Sequence, residues 1–214
     1  ATPYSGTGGD ITIPSSYDPG SGAMTVSAIM SDVFYNKTAI TSVTIPASIK
    51  TIGNNAFSRC TSLATVTFET GSQLTAIGDG AFWGTAISSV TIPANVTSIG
   101  NDAFSTCANL ATVTFETGSK LATIGEMAFY NSPITSITIP AGVTTIGNSA
   151  FYMCTYLTNV IFAEGNVLQT IGEYVFYGCA LTFIQLPVTV NSIGYAAFCD
   201  SDLAAIIIPN ESVS

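Results

Sequence analysis

The sequence predicts a solenoid of stacked parallel coils, and three regularities carry that prediction. The first is literal repetition: "SVTIPASIKTIGNNAF" at residues 42–57 returns as "SVTIPANVTSIGNDAF" and then as "SITIPAGVTTIGNSAF", each 47 residues after the last. The second is the dipeptide Ile-Gly at 52–53, 77–78, 99–100, 124–125, 146–147, 171–172 and 193–194, whose steps of 25 and 22 residues divide the period into two alternating units. The third is a phenylalanine five residues after each of these Ile, at Phe57, Phe82, Phe104, Phe129, Phe151, Phe176 and Phe198, with Phe34 ahead of them in a degenerate first unit. A unit this small cannot bury its own apolar face, so it must stack on its neighbours.

Each unit opens with a short strand. The pattern apolar-x-x-apolar-x-apolar recurs as Ile40/Val43/Ile45, Leu63/Val66/Phe68, Ile87/Val90/Ile92 and onward to Leu203/Ile206/Ile208. Its last two members alternate with outward Ser or Thr, the period of two expected of a strand with one buried face. In alternate units Pro46, Pro93, Pro140 and Pro187 follow at once; a proline cannot donate to a ladder, so the strand ends there. The glycine of Ile-Gly marks a backbone position that needs either positive φ or close approach. The "NNAFSRC" type of segment is expected to form a short helical turn. The Phe series then runs as an internal spine, each buried ring contributing about 1.5–3 kcal/mol. One strand and one turn per coil is the leucine-rich-repeat plan. The expected fold is a curved right-handed leucine-rich-repeat solenoid, with eight or nine parallel strands as a β-sheet on the concave face and short turns or 3-10 segments on the convex face.

The stretch "SVTIPANVTSIGNDAFSTCANL", residues 89–110, closely resembles the BspA-type leucine-rich repeat, with its Ile-Pro strand end, Ile-Gly, Ala-Phe and Cys-x-x-Leu. The resemblance runs from about Asp10 to Pro209. It implies a secreted or surface-displayed, extracellular protein of the kind found in bacteria of the mouth and gut and in some parasitic protozoa, several of which bind host matrix proteins or other cells. The chain departs from the pattern at Ile29-Met30 and in the short link from Phe198 to Leu203. A single domain over residues 1–214 is expected, with a degenerate first coil over about 10–34, regular repeats over about 35–198 and an irregular last coil over 199–209. The ending "AAIIIPNESVS" directly after a strand suggests a longer protein or an uncapped edge, and with it self-association through the C-terminal edge.

Charged residues make up 8% of the chain, against roughly 25% in an average soluble domain, so the polar surface is built from Thr, Ser, Asn and Gly. A net charge of −9 with only four cations argues against nucleic acid and anionic membrane as partners. The longest apolar run, Leu203 to Ile208, is far short of the ~20 residues a spanning helix needs, so membrane insertion is not expected. There is no histidine, which removes the usual general base and the commonest metal ligand. Glu69 and Glu116 occupy equivalent places two coils apart, about 10 Å at the usual strand spacing, and read as a solvated ladder rather than a catalytic pair. No catalytic residue, metal or cofactor is expected.

Cys60, Cys107, Cys154 and Cys179 each follow their Phe by three residues and read as small buried hydrophobes. Only Cys154 and Cys179, on adjacent coils, are close enough for a disulfide, and they are expected to be reduced. No Cys-x-x-Cys is present, which argues against zinc. Aromatics recur just after the Phe as Tyr35, Trp83, Tyr130, Tyr152 and Tyr177; they either pack against the neighbouring turn or stack on sugar rings. The triplets at Asn36, Asn95 and Asn210 carry no weight in a chain so rich in Thr and Ser.

The remaining signal lies where repetition fails. The outward strand position reads Thr44, Thr67, Thr91, Thr114, Thr138 and then Ile161, Gln185, Ile207. Its neighbour reads Ser42, Thr65, Ser89, Thr112, Ser136 and then Asn159, Phe183, Ala205. Ile161, Phe183 and Ile207 therefore form the candidate binding patch. The expected function is a non-catalytic surface or secreted module adhering to a protein ligand, host matrix or another cell. The alternatives are a carbohydrate-binding module using the aromatics and a passive spacer.

Overall fold

The computed structural model describes residues 8–20 and 22–208; Asn210 and the tail after Ile-Pro lie outside them, as do both ends of the expected 1–214 domain. Among the described residues the chain is a parallel β-solenoid of about eight coils with no helix. Each coil contributes two strands, one more than the sequence pattern suggests. The long strands are Gly9–Thr12, Ile40–Ile45, Thr65–Phe68, Ser89–Ile92, Thr112–Phe115, Ser136–Ile139, Asn159–Phe162, Phe183–Gln185 and Ala205–Ile207. Two-residue strands at the Ile-Gly corner, from Ala28–Ile29 to Ser192–Ile193, add a second, uninterrupted eight-stranded parallel sheet. A two-residue strand shows no alternation, which is why the hydrophobic pattern does not reveal it.

Close approach, not backbone handedness, explains the repeated glycine. None of the seven Ile-Gly glycines has positive φ. A Cβ on Gly125 would lie 2.6 Å from the carbonyl carbon of Gly100, and one on Gly53 would lie 2.4 Å from the amide nitrogen of Ser31. Any side chain here would force the coils apart. The first coil keeps the plan despite its sequence: Ile29 pairs with Ile52, and Met30 stands in the glycine's place. Between its strands the first coil carries an added antiparallel hairpin, Ser16–Tyr17 with Met24–Thr25.

The Phe corner is a turn, not the helical turn expected. Asn55 and Arg59 have positive φ, as do Asp102 and Thr106, Met127 and Asn131, and Ser149 and Met153 in equivalent places. This alternation aims every second amide along the solenoid axis: Asn55, Phe57 and Arg59 donate to the carbonyls of Asp79, Ala81 and Trp83, each at 2.8 Å. The intervening amides of Ala56, Ser58 and Cys60 bond back three residues. A helix would have kept all of these bonds within one coil.

Inside the corner the eight phenylalanines form one continuous stack. Consecutive centroids are 4.9–5.6 Å apart with the planes within 15° of parallel. Phe57 to Phe176 are fully buried, and Phe198, in the last coil, is half-buried. The offset of stacked rings matches the spacing of parallel strands, so ring stacking and backbone pairing reinforce each other.

Candidate functional site

The long-strand sheet, unlike the corner, is not continuous. Its pairings alternate between closed and open. Ser89–Ile92 pairs with Thr112–Phe115 over four residues, and Ser136–Ile139 pairs with Asn159–Phe162 in the same way. Thr112–Phe115 meets Ser136–Ile139 only at Thr112↔Ser136, and the sheet's pairing stops between Phe68 and Ser89 and again between Phe162 and Phe183.

Proline accounts for the alternation. At three of the closed junctions one amide just past the strand completes the ladder: Glu69 to the Ile45 carbonyl, Glu116 to Ile92 and Ala163 to Ile139, each at 3.0 Å. At the open junctions the residue in that place is Pro93, Pro140 or Pro187, which has no N–H to give. The first junction shows that the missing donor permits opening rather than compelling it. There Gly9–Thr12 stays paired with Ile40–Ile45 although Pro46 follows, and the Asp10 carboxylate accepts hydrogen bonds from the hydroxyls of Ser42 at 2.7 Å and Thr41 at 2.9 Å. Those bonds hold the Asp10 carboxyl below the usual carboxylate range.

The open junctions leave clefts of about 330, 510 and 500 Å³ in chain order. Thr and Ser dominate the outward strand residues along the first two. In the third, Ile161 and Phe183 line opposite sides, with relative exposures of 49% and 47%. Ile207 is also exposed, but it sits one strand farther on, in register with Gln185. The patch read from the sequence thus divides into a facing pair and a neighbour on the last strand. The prolines mark in the sequence the junctions that can open, but Pro46 follows a strand that stays paired, so the cleft itself was not legible from them alone.

Glu69 and Glu116 cap backbone on the preceding coil, accepting from the amides of Ala47 at 3.2 Å and Ala94 at 2.9 Å. They are individual caps, not a free ladder. The buried cysteines are more than small hydrophobes. Cys60, Cys107, Cys154 and Cys179 donate their thiols to the carbonyls of Phe34, Phe82, Phe129 and Phe151 at 3.0–3.2 Å, and Ser132 does the same toward Phe104. Burial raises the Cys60 and Cys107 thiols to about 11 and Cys154 to about 12, and pushes Cys179 up as well. All five cysteines are free, and only Cys199 is exposed.

The five aromatic candidates fall into two groups. Tyr130, Tyr152 and Tyr177 form one half-buried stack with centroids 5.3 and 4.8 Å apart, and Tyr174 and Tyr195 pack edge-on beside it. The faces of Tyr152 are therefore both covered. Asp200, hydrogen-bonded to the Tyr177 hydroxyl, raises that phenol to about 12. Tyr35 and Trp83 stand apart in the early coils, where the Arg59 guanidinium lies 5.0 Å from the Trp83 ring centroid. No helix among the described residues is long and apolar enough to cross a membrane, and no cluster of metal-ligating side chains occurs among them.

The same architecture occurs in several solved bacterial proteins. The pneumococcal vaccine antigen PcpA superposes with a TM-score of 0.75 at 29% identity over 95% of this chain. The chain spans 61% of that protein's length. A leucine-rich cell surface protein from Faecalibacterium prausnitzii A2-165 is 31% identical over 97% of this chain and 71% of its own, with a TM-score of 0.59. The leucine-rich repeat protein TpLRR of T. pallidum, at 24% identity over 90% of this chain and 72% of its own, shares the fold with a TM-score of 0.59. No curated protein matches. The sequence profile of the BspA type leucine rich repeat region matches residues 27–158 and 144–214 in six copies, and the chain belongs to that family.

Proposed function

We propose that this chain is a non-catalytic binding module, displayed on or released from a bacterial surface, that adheres to a protein ligand through its long-strand sheet. The observation that carries the reading is the third cleft, where exposed Ile161 and Phe183 follow a run of coils whose outward strand residues are all Thr or Ser. Thr in water costs nothing and suits a strand, whereas a facing Ile-Phe pair gains by being covered. Binding centres are apolar with polar rims, which is the arrangement along this sheet. The F. prausnitzii relative is a leucine-rich cell surface protein, which supports the location. A second copy of the chain is the other occupant this patch would suit.

The test replaces Ile161, Phe183 and Ile207 together by Thr. None of the three faces the core, so the fold should survive, as judged by circular dichroism and thermal unfolding. Binding to a panel of immobilised matrix proteins and sedimentation behaviour are then compared with the parent. Loss of matrix binding supports adhesion, and loss of self-association alone supports the second copy. If both persist unchanged, the sheet patch is not the recognition surface.

A further inference from the structure

The corner face carries a second, chemically different depression of about 390 Å³ beside Trp83. Two rungs of the corner ladders are vacated there. On the ladder one residue after each Phe, Trp83 falls between Ser58 and Ser105, both buried and small, so no ring stacks on the indole as rings do on Tyr152. On the ladder of left-handed residues, Gly80 falls between Asn55 and Asp102, and its missing side chain leaves a gap over which the Asn55 amide reaches. Asn55, Arg59, Asp79 and Asp102 line the resulting hollow together with the indole.

Among the described residues Asn55 and Asp102 make no side-chain hydrogen bond, and Arg59 forms no ion pair although two carboxylates share its depression. A guanidinium, an amide and two carboxylates with spare capacity offer donors and acceptors to one ligand. The carboxylates and the net charge of −9 disfavour an anion. Arg59, already over the indole, disfavours a cation. What remains is a neutral ligand with an apolar face for the ring and hydroxyls for the rim. We infer that the Trp83 depression is a subsite for a neutral pyranose unit of a glycan, its C–H face on the side of the indole that the Arg59 guanidinium leaves uncovered and its hydroxyls on Asp102, Asn55 and Arg59. This deepens the glycan expectation by choosing Trp83, with Tyr35 on the same depression, over Tyr130, Tyr152 and Tyr177, which stack on one another, and it is independent of adhesion through the sheet.

Trp83 is the single tryptophan of the chain, so its emission reports this site and no other. The parent protein is titrated separately with maltotriose, cellotriose, mannotriose and the N-acetylglucosamine trimer at up to millimolar concentration, and with tetramethylammonium chloride as the cationic alternative. A saturable emission change with at least one trisaccharide is expected. Asp102→Ala should weaken it about tenfold or more, as for loss of a hydrogen bond to a charged group; Ala196 adopts the same positive φ in its own coil, so the backbone can tolerate the change. The Ile161, Phe183 and Ile207 triple variant should respond like the parent. Absence of a saturable response to all four trisaccharides, a response that Asp102→Ala leaves intact, or saturation by tetramethylammonium alone would each overturn the assignment.

Discussion

The two faces of each coil solve the stacking problem differently. At the corner every junction is closed: the amides of Phe34, Phe57, Phe82, Phe104, Phe129, Phe151 and Phe176 each reach the next coil at 2.7–3.0 Å, and the short-strand sheet runs unbroken beside them. On the long-strand face the pairing lapses at alternate junctions, and clefts open there. The corner therefore holds the coils in register, which leaves the sheet free to open and its outward residues free to vary. A solenoid joined by nearest-neighbour interfaces needs only one continuous seam per junction.

The most severe way to break this division is to break the seam. Phe104→Ala removes a fully buried ring stacked on Phe82 and Phe129, and truncation of a buried Phe typically costs about 3–5 kcal/mol. Denaturant unfolding should lose that much stability. In the same variant, amide exchange should speed up first at the neighbouring open junction between Thr112–Phe115 and Ser136–Ile139. Uniform acceleration over all coils would mean that the seam does not act locally.

A smaller effect follows from the thiols of the same seam. Cys60 and Cys107 titrate near 11 in the folded chain against an ordinary value of 9.0. Because the folded values are raised, the thiols' contribution is fully present below the unfolded value and is lost as pH rises through the folded one. Stability should therefore fall between about pH 9 and 11, and Cys107→Ser, which keeps a donor of the kind Ser132 supplies, should flatten part of that fall. A thiol reagent at neutral pH should modify Cys199 quickly and the four buried thiols only on unfolding.

The smallest expected effect lies on the sheet. Pro140→Ala supplies an amide opposite the Phe115 carbonyl, a hydrogen bond contributing about 0.5–1.5 kcal/mol. The loss of proline's restraint on the unfolded chain offsets about 0.4–1 kcal/mol of it. Stability should barely change, yet the new amide at 140 should be protected from exchange and the 510 Å³ cleft should narrow. An unprotected amide at 140 would show that proline is not what holds this junction open.

Much of this organisation was legible beforehand. The Ile-Gly and Phe landmarks give the coil count, the burial of the spine and the membership of one repeat family, because a residue that must stack on its own image recurs at the coil's period. The outward Ile161 and Phe183 were legible for the converse reason: they stand where the period demands nothing apolar. Three other features were not. The second strand of each coil is too short to show alternation. The glycine's role required knowing that the Gly100 backbone lies against Gly125. The Trp83 hollow exists only because Ser58, Gly80 and Ser105, scattered through the sequence, meet around one ring.

By itself, then, the sequence determined the period, and with it which side chains face inward. Burial must repeat with every coil, and that repetition is written one residue at a time. The tertiary structure alone decided which junctions close and which open, and which rungs of a ladder are vacant. Those properties belong to pairs of residues roughly one coil apart, where a missing N–H or a missing Cβ matters only through the neighbour that would have met it.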